Sequence, residues 1–216
     1  VDINCLLTHW PEEDGIAERL REERQGGGSG SNLALNMKQI DSNMPVEAIA
    51  LLGDDDAGRF LIELAGRHGI DTRQMHVAAG EATQVADAFV SRASGRRTHL
   101  FRRGVASLLN ADHFDFSQTT AKYLHLGLPG IHVLLDQPHG SDANGWVTVL
   151  RKASSAGLLT NMELPSLDSS ILAPIVRPCL PHLDMIIVND VEIGSLAGME
   201  TRQDGRTGWE SCERAA

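Results

Sequence analysis

Apolar runs of strand length alternate with stretches of helical period along most of this chain, and few folds accept that order. The run at 46–52 (VEAIALL) reads as a buried strand, followed by the turn Gly53-Asp54-Asp55-Asp56. Residues 59–68 carry Phe60, Leu61, Leu64 and Ala65 at helical spacing, and Gly69 closes that helix. Further strands are expected at 84–92, 123–128, 158–162 and 183–188, with 99–102 pairing back on 84–92 across Ser94-Gly95. The run at 183–188 (LDMIIV) is the clearest buried strand, and helices are expected at 146–155 and 191–197. Strand–turn–helix units in series predict an α/β fold with a mostly parallel sheet. Residues 4–24 break the alternation and read as irregular strands projecting from that sheet.

A chain of 216 residues suits one domain. Its net charge of -10 disfavours a nucleic-acid partner, because the one dense basic stretch, Arg96-Arg97 with Arg102-Arg103, is short. That stretch still leaves room for a small basic pocket for one anionic ligand. Cys5, Cys179 and Cys212 lie far apart without zinc-site spacing, which predicts reduced thiols in a cytoplasmic protein. No segment approaches the ~18 consecutive apolar residues of a membrane span, so no membrane partner is expected.

Glycines 26–28 and 30, then Ser31-Asn32, precede a helix with Leu33, Met37 and Ile40 on one face. Glycines there allow close approach of a ligand to the backbone, and helix N-terminal N–H groups attract oxygens. The spacing fits neither the dinucleotide fingerprint nor a phosphate-binding P-loop, and a flexible loop is the plainer alternative. Asn189-Asp190-Val191-Glu192 follows the strand at 183–188. At such a strand end an amide and a carboxylate one helical turn apart suit hydrated magnesium or phosphate. They equally form a capping box, which this segment taken alone favours. Asn161-Met162-Glu163 lies at another expected strand end, where a turn into Pro165 is the alternative. Asp2, an acid among apolar neighbours, can accept two hydroxyl hydrogen bonds. Arg102 and Arg103 suit an anionic or hydroxylated substrate or, more commonly, a solvated surface.

Taken in order, these segments resemble the ribokinase-like (PfkB) carbohydrate kinases from Asp2 to about Ala197. Asp2 looks like the family's sugar-binding aspartate. Gly27-Gly28-Ser29-Gly30-Ser31-Asn32 resembles its Gly-Gly-x-x-x-Asn substrate loop, and Gly53-Asp54-Asp55-Asp56-Ala57-Gly58 its Gly-x-Asp-x-x-Gly turn. Gly69-Ile70-Asp71 looks like its Gly-Val-Asp, residues 102–109 like its arginine–alanine–leucine stretch, and residues 189–192 like its Asn-x-x-Glu motif. The resemblance implies a three-layer α/β/α domain with a small β-sheet lid, built here from segments about 4–25 and 84–103. It implies transfer of the γ-phosphoryl of ATP to a sugar hydroxyl, with magnesium bridging the phosphates. Asp2, Gly27, Gly28, Asn32, Arg102 and Arg103 would bind substrate. Asn161, Asn189 and Glu192 would serve phosphate and magnesium, the last two through water. A homodimer through the lid is expected.

The family's Gly-Ala-Gly-Asp segment does not occur, so the catalytic aspartate is expected beyond Ala216, and the first strand is expected to begin before Val1. Ribokinases proper place a lysine where Ser29 stands and a glutamate near Gly127, which argues against ribose. An adenosine-type nucleoside kinase is the alternative, but aromatic residues are only 4%, with Trp10 the one obvious lid candidate. A non-catalytic sugar-binding relative is the second alternative.

Overall fold

A computed structural model describes residues 1–165, 167–203 and 206–216. They fall into two compact units, Val1–Ala106 and Ser107–Ala216.

The first unit holds β1 (Asp2–Leu7), β2 (Arg19–Gln25), α1 (Ser29–Ile40), β3 (Glu47–Gly53), α2 (Asp56–Arg67), β4 (Asp71–Ala78), β5 (Val85–Ser91) and β6 (Arg97–Arg102). Four of these make one sheet in the order β2-β1-β5-β6, with β1 and β5 parallel and both outer pairs antiparallel. The region expected to be irregular is therefore an orderly strand pair with one register shift at Leu6/Leu7. Its outer strand reads RLREERQ. A charged edge of this kind discourages pairing with other chains.

Strands β3 and β4 form a parallel pair. The sequence reading missed β4, because Asp71, Arg73, Gln74 and His76 hide its period of two. Helices α1 and α2 share one apolar cluster with this pair, built on Ala34, Ala65 and Ile70 with Leu35, Val46, Ala48 and Met75. The buried face of α1 is thus not the expected one: Leu33 and Ile40 are exposed, and small Ala34 sits where the helix meets its neighbours.

The second unit holds β7 (Tyr123–Leu126), α3 (Val133–Asp136), α4 (Gly145–Ser155), β8 (Leu159–Glu163), α5 (Ser169–Val176), β9 (Met185–Ile187), α6 (Asp190–Ala197), the short β10 (Arg202–Gln203) and β11 (Arg206–Thr207), and α7 (Trp209–Ala215). Strands β7, β8 and β9 are parallel in that order. Helix α4 packs on β8, and Trp146, Val149, Leu150, Ala153 and Met162 are fully buried. Asn144 starts α4, accepting from the Val147 amide at 3.0 Å while its Nδ2 donates to the Ile175 carbonyl at 2.8 Å. Cys179 is buried beside Asn144, and burial pushes its thiol up to about 12.

Strand β9 corrects the sequence reading. It is three residues long, and Met185 and Ile187 are 48% and 61% exposed. They share a face with Tyr123 and Leu159, which are also exposed, while Leu126 and Met162 point to the buried side.

Candidate functional site

The first group of site residues gathers where β1 meets the glycine loop. Asp2 opens β1, opposite Gln25 on β2, and the chain turns through Gly26–Gly28 into α1. A Cβ on Gly27 would overlap the Asp2 carboxylate, so the bare backbone there is what lets the acid lie against the loop. Gly28 begins α1 at φ 82°, a conformation that side chains resist. Burial pushes the Asp2 carboxyl above the usual carboxylate range, against the pull of the chain's amino group, His99 and Arg97. Asn32 lies exposed in the first turn of α1, its amide donating to the Gly28 carbonyl at 3.1 Å. The structure thus brings Asp2 and Gly27 into contact and sets Gly28 and Asn32 beside them.

Arg102 and Arg103 diverge. Arg102 donates to the Thr83 carbonyl at 3.3 Å and lies 3.8 Å from Asp55. Arg103 stacks over the ring of Phe101, 5.6 Å from its centroid. Behind Arg102 is a network that sequence reasoning missed. Asp55 caps α2 by accepting from the Gly58 amide at 2.9 Å, and also accepts from the Thr83 hydroxyl at 2.7 Å and amide at 2.9 Å. The Gly53 amide donates to the same hydroxyl at 2.9 Å. Burial alone would raise the Asp55 carboxyl; the Thr83 hydroxyl, the two amides and Arg102 outweigh it and hold it at about 2. The Gly-x-Asp-x-x-Gly turn was the available signal for Asp55. Thr83 lies 28 residues on and carried none.

The second group belongs to the other unit. Asn189 and Glu192 form a full capping box on α6. The Asn189 side chain accepts from the Glu192 amide at 2.9 Å, and the Glu192 carboxylate accepts from the Asn189 amide at 3.0 Å and from its Nδ2 at 2.7 Å. Glu192 is only 7% exposed. Asn161 sits within β8, opposite Met185, and Glu163 rather than Asn161 ends that strand, opposite Ile187.

Asn161 Nδ2 lies 2.8 Å from His125 Nδ1, and His125 Nε2 lies 3.3 Å from Glu163. Burial pushes the His125 pKa down, against Glu163, and so favours the neutral ring. A carboxylate only accepts, so the ring proton belongs on Nε2 and Nδ1 receives the amide N–H. The buried Asn161 Oδ1 then has no hydrogen-bond partner among the described residues. As an acceptor it suits a hydroxyl or a water rather than a phosphate oxygen.

No three His, Cys, Asp or Glu side chains gather as a metal cage among the described residues. The Glu192 carboxylate and the Asn189 amide oxygen are hard oxygen groups, of the kind that fits a hydrated magnesium ion held mainly through phosphates. A shallow hollow of about 620 Å³ lies against α4, lined by none of the site residues named above. Its Asp142 is bonded to Thr148 and Arg151, and its Lys152 to the Ala111 carbonyl.

The fold is shared with ribokinase-like α/β proteins. Arabidopsis thaliana ribokinase complexed with ribose and ATP is 17% identical with a TM-score of 0.69, covering 99% of this chain and 63% of that one. Cryptococcus neoformans ribokinase in complex with ADP is 20% identical with a TM-score of 0.74, covering 100% and 62%. Burkholderia thailandensis nucleoside kinase in complex with inosine is 14% identical with a TM-score of 0.62, covering 91% and 61%. The chain thus spans a little over three fifths of the length of these proteins. The sequence also matches the profile of the pfkB family carbohydrate kinases over residues 5–208, and the chain belongs to that family. No curated protein sequence matches it.

Proposed function

We propose that this chain is the substrate-binding part of an enzyme that transfers the γ-phosphoryl of ATP to a sugar hydroxyl. The observation that carries this reading is the half-buried Asp2 carboxylate lying against the bare backbone of Gly27 at the entry to α1. A carboxylate so placed accepts hydroxyl hydrogen bonds, and the glycine loop lets the ligand approach the backbone beside it. Asn32 adds an amide from the first helical turn. Arg102, tied to Asp55 and Thr83, holds the end of β6 in place, and Arg103 reaches out over Phe101.

In the second unit, Asn189 and Glu192 present a buried carboxylate and an amide beyond the end of β9. There they would orient water around phosphate-bound magnesium. That ion would neutralise charge on the transferring phosphoryl group. Binding and orientation are what these residues supply; the step that takes the hydroxyl proton is assigned to none of residues 1–216.

Trp10 supports a sugar over a nucleoside. It packs edge-on to Phe89 at 6.0 Å, and Phe89 lies on the face of β5 opposite Ala86, the residue beside Asp2. The nucleoside reading keeps one supporting feature, the exposed Phe101 ring on the Asp2 side. We also assign the sheet β2-β1-β5-β6 the role of a lid, and the meeting of two such sheets in a homodimer. The thiols of Cys5, Cys179 and Cys212 are free, which suits a cytoplasmic setting. No helix among the described residues is long and apolar enough to cross a membrane.

The test is a coupled ADP-release assay on the full-length protein with ATP, magnesium and a panel of sugars and nucleosides. Release with a sugar supports the reading and names the substrate. Release with nucleosides alone moves the assignment to the alternative. Silence across the panel, with sugar still raising the melting temperature, would leave a non-catalytic sugar binder.

A further inference from the structure

The register of the sheet β2-β1-β5-β6 places a second set of groups opposite Asp2. Asp2 pairs with Ala86, and Ala86 with Phe101. In the next row of the same face, Asn4 pairs with Ala88 and Ala88 with His99. In the third, Leu6 pairs with Val90 and Val90 with Arg97. Residues opposite one another, and residues two apart on a strand, project to one face. Asp2, Phe101, His99 and Arg97 therefore share a face, and the pull of His99 and Arg97 on the Asp2 carboxyl agrees with that placement.

Asp2 and Phe101 stand two strand spacings apart, about 9–10 Å, and the residue between them bears only a methyl group. The gap is about as wide as one sugar ring. Phe101 is 48% exposed, and an aromatic face there suits the C–H side of such a ring. The Arg97 and His99 side chains are exposed and have no hydrogen-bond or ion-pair partner among the described residues. Arg102, by contrast, is already committed to Asp55 and Thr83. In a chain of net charge -10, the Asp2 face thus carries two neighbouring, exposed nitrogen-bearing side chains along β6.

We propose that the slot between Asp2 and Phe101 takes the ring of an anionic sugar, whose carboxylate or phosphate is recognised by Arg97 and His99. Asp2 holds hydroxyls at one end and the guanidinium and imidazole hold the acidic group at the other, so neutral sugars bind weakly. This inference rests on the sugar-kinase reading above and narrows its substrate class.

The test uses the full-length protein with ATP and magnesium, and three arms: neutral hexoses and pentoses, sugar acids, and sugar phosphates. The expected result is turnover with a sugar acid or a sugar phosphate, and the active arm names the source of the charge. Arg97→Gln and His99→Asn should each raise KM for that substrate roughly ten- to a hundredfold, with kcat changing far less. Both residues are exposed, so an unchanged melting temperature checks that the variants fold. Turnover of a neutral sugar alone, with both variants leaving its KM unchanged, overturns the proposal and leaves the kinase reading intact. If no sugar is phosphorylated, thermal shift decides. Stabilisation of wild type but not Arg97→Gln by sugar acids or sugar phosphates upholds the subsite without the kinase. Equal stabilisation of both, or none, overturns it.

Discussion

Asp55 shows what one side chain does for the neighbourhood of the candidate site. It caps α2, receives Thr83 twice and faces Arg102, so one carboxylate ties β3, α2, β5 and β6 together. Folding lowers its pKa to about 2, below the unfolded value of about 3.9. Its contribution is therefore complete above about pH 5 and fades as the pH falls through about 4 towards 2. Asp55→Asn should cost about 1–2 kcal/mol at neutral pH after allowance for its partial exposure. Urea unfolding at pH 7 and pH 3 checks this: the gap between wild type and variant should narrow in acid, and an equal gap would remove the charge from the explanation. Asp2 carries the complementary prediction. Asp2→Ala should weaken sugar binding roughly ten- to a hundredfold, and Gly27→Ala should do so too, by driving its methyl into that carboxylate. Titration calorimetry with the identified sugar measures both. Asp2 and the glycine loop were legible in the sequence because each carries a local pattern, an acid among apolar neighbours and glycines before a helix, although their contact spans the chain from position 2 to position 27. The role of Arg102 was not, because its partners Asp55 and Thr83 are distant in sequence and meet only in the fold.

At the scale of elements, the strands and helices that the sequence revealed are those with one covered face. Helix α4 was readable because Trp146, Val149, Leu150 and Ala153 repeat at helical spacing and all are buried. Strand β4 was not, because half-exposed polar residues fill it, and the buried face of α1 was misjudged because alanine rather than leucine makes its contact. The α6 terminus was legible as a cap. The capping box formed, and the same two residues remain the candidates for magnesium-bound water. The readings separate by experiment. Asn189→Ala should cost about 1 kcal/mol of stability through the lost cap. Glu192→Gln should lower kcat more than it raises the sugar KM if the carboxylate orients phosphate-bound water. A loss of stability with an unchanged rate at saturating magnesium would reduce both residues to the cap.

For the whole molecule, the two units differ in what they leave uncovered. In the first, the sheet presents mostly polar and charged side chains along β2, so its exposed edge resists strand addition. In the second, one face of β7, β8 and β9 is closed by α4 and the other exposes Tyr123, Leu159, Met185 and Ile187 around the polar trio His125, Asn161 and Glu163. Strand β9 is the outer strand of that sheet, and its two exposed side chains alternate onto the open face. An exposed apolar face of this kind promotes association. The 216-residue chain should therefore form concentration-dependent oligomers, and Met185→Lys with Ile187→Lys should suppress them with little loss of stability, since both side chains already meet solvent. Light scattering coupled to size exclusion over a tenfold concentration range measures the effect. If the double variant associates as strongly as wild type, the association runs through another surface, and the exposed Leu100 of β6 becomes the next position to change.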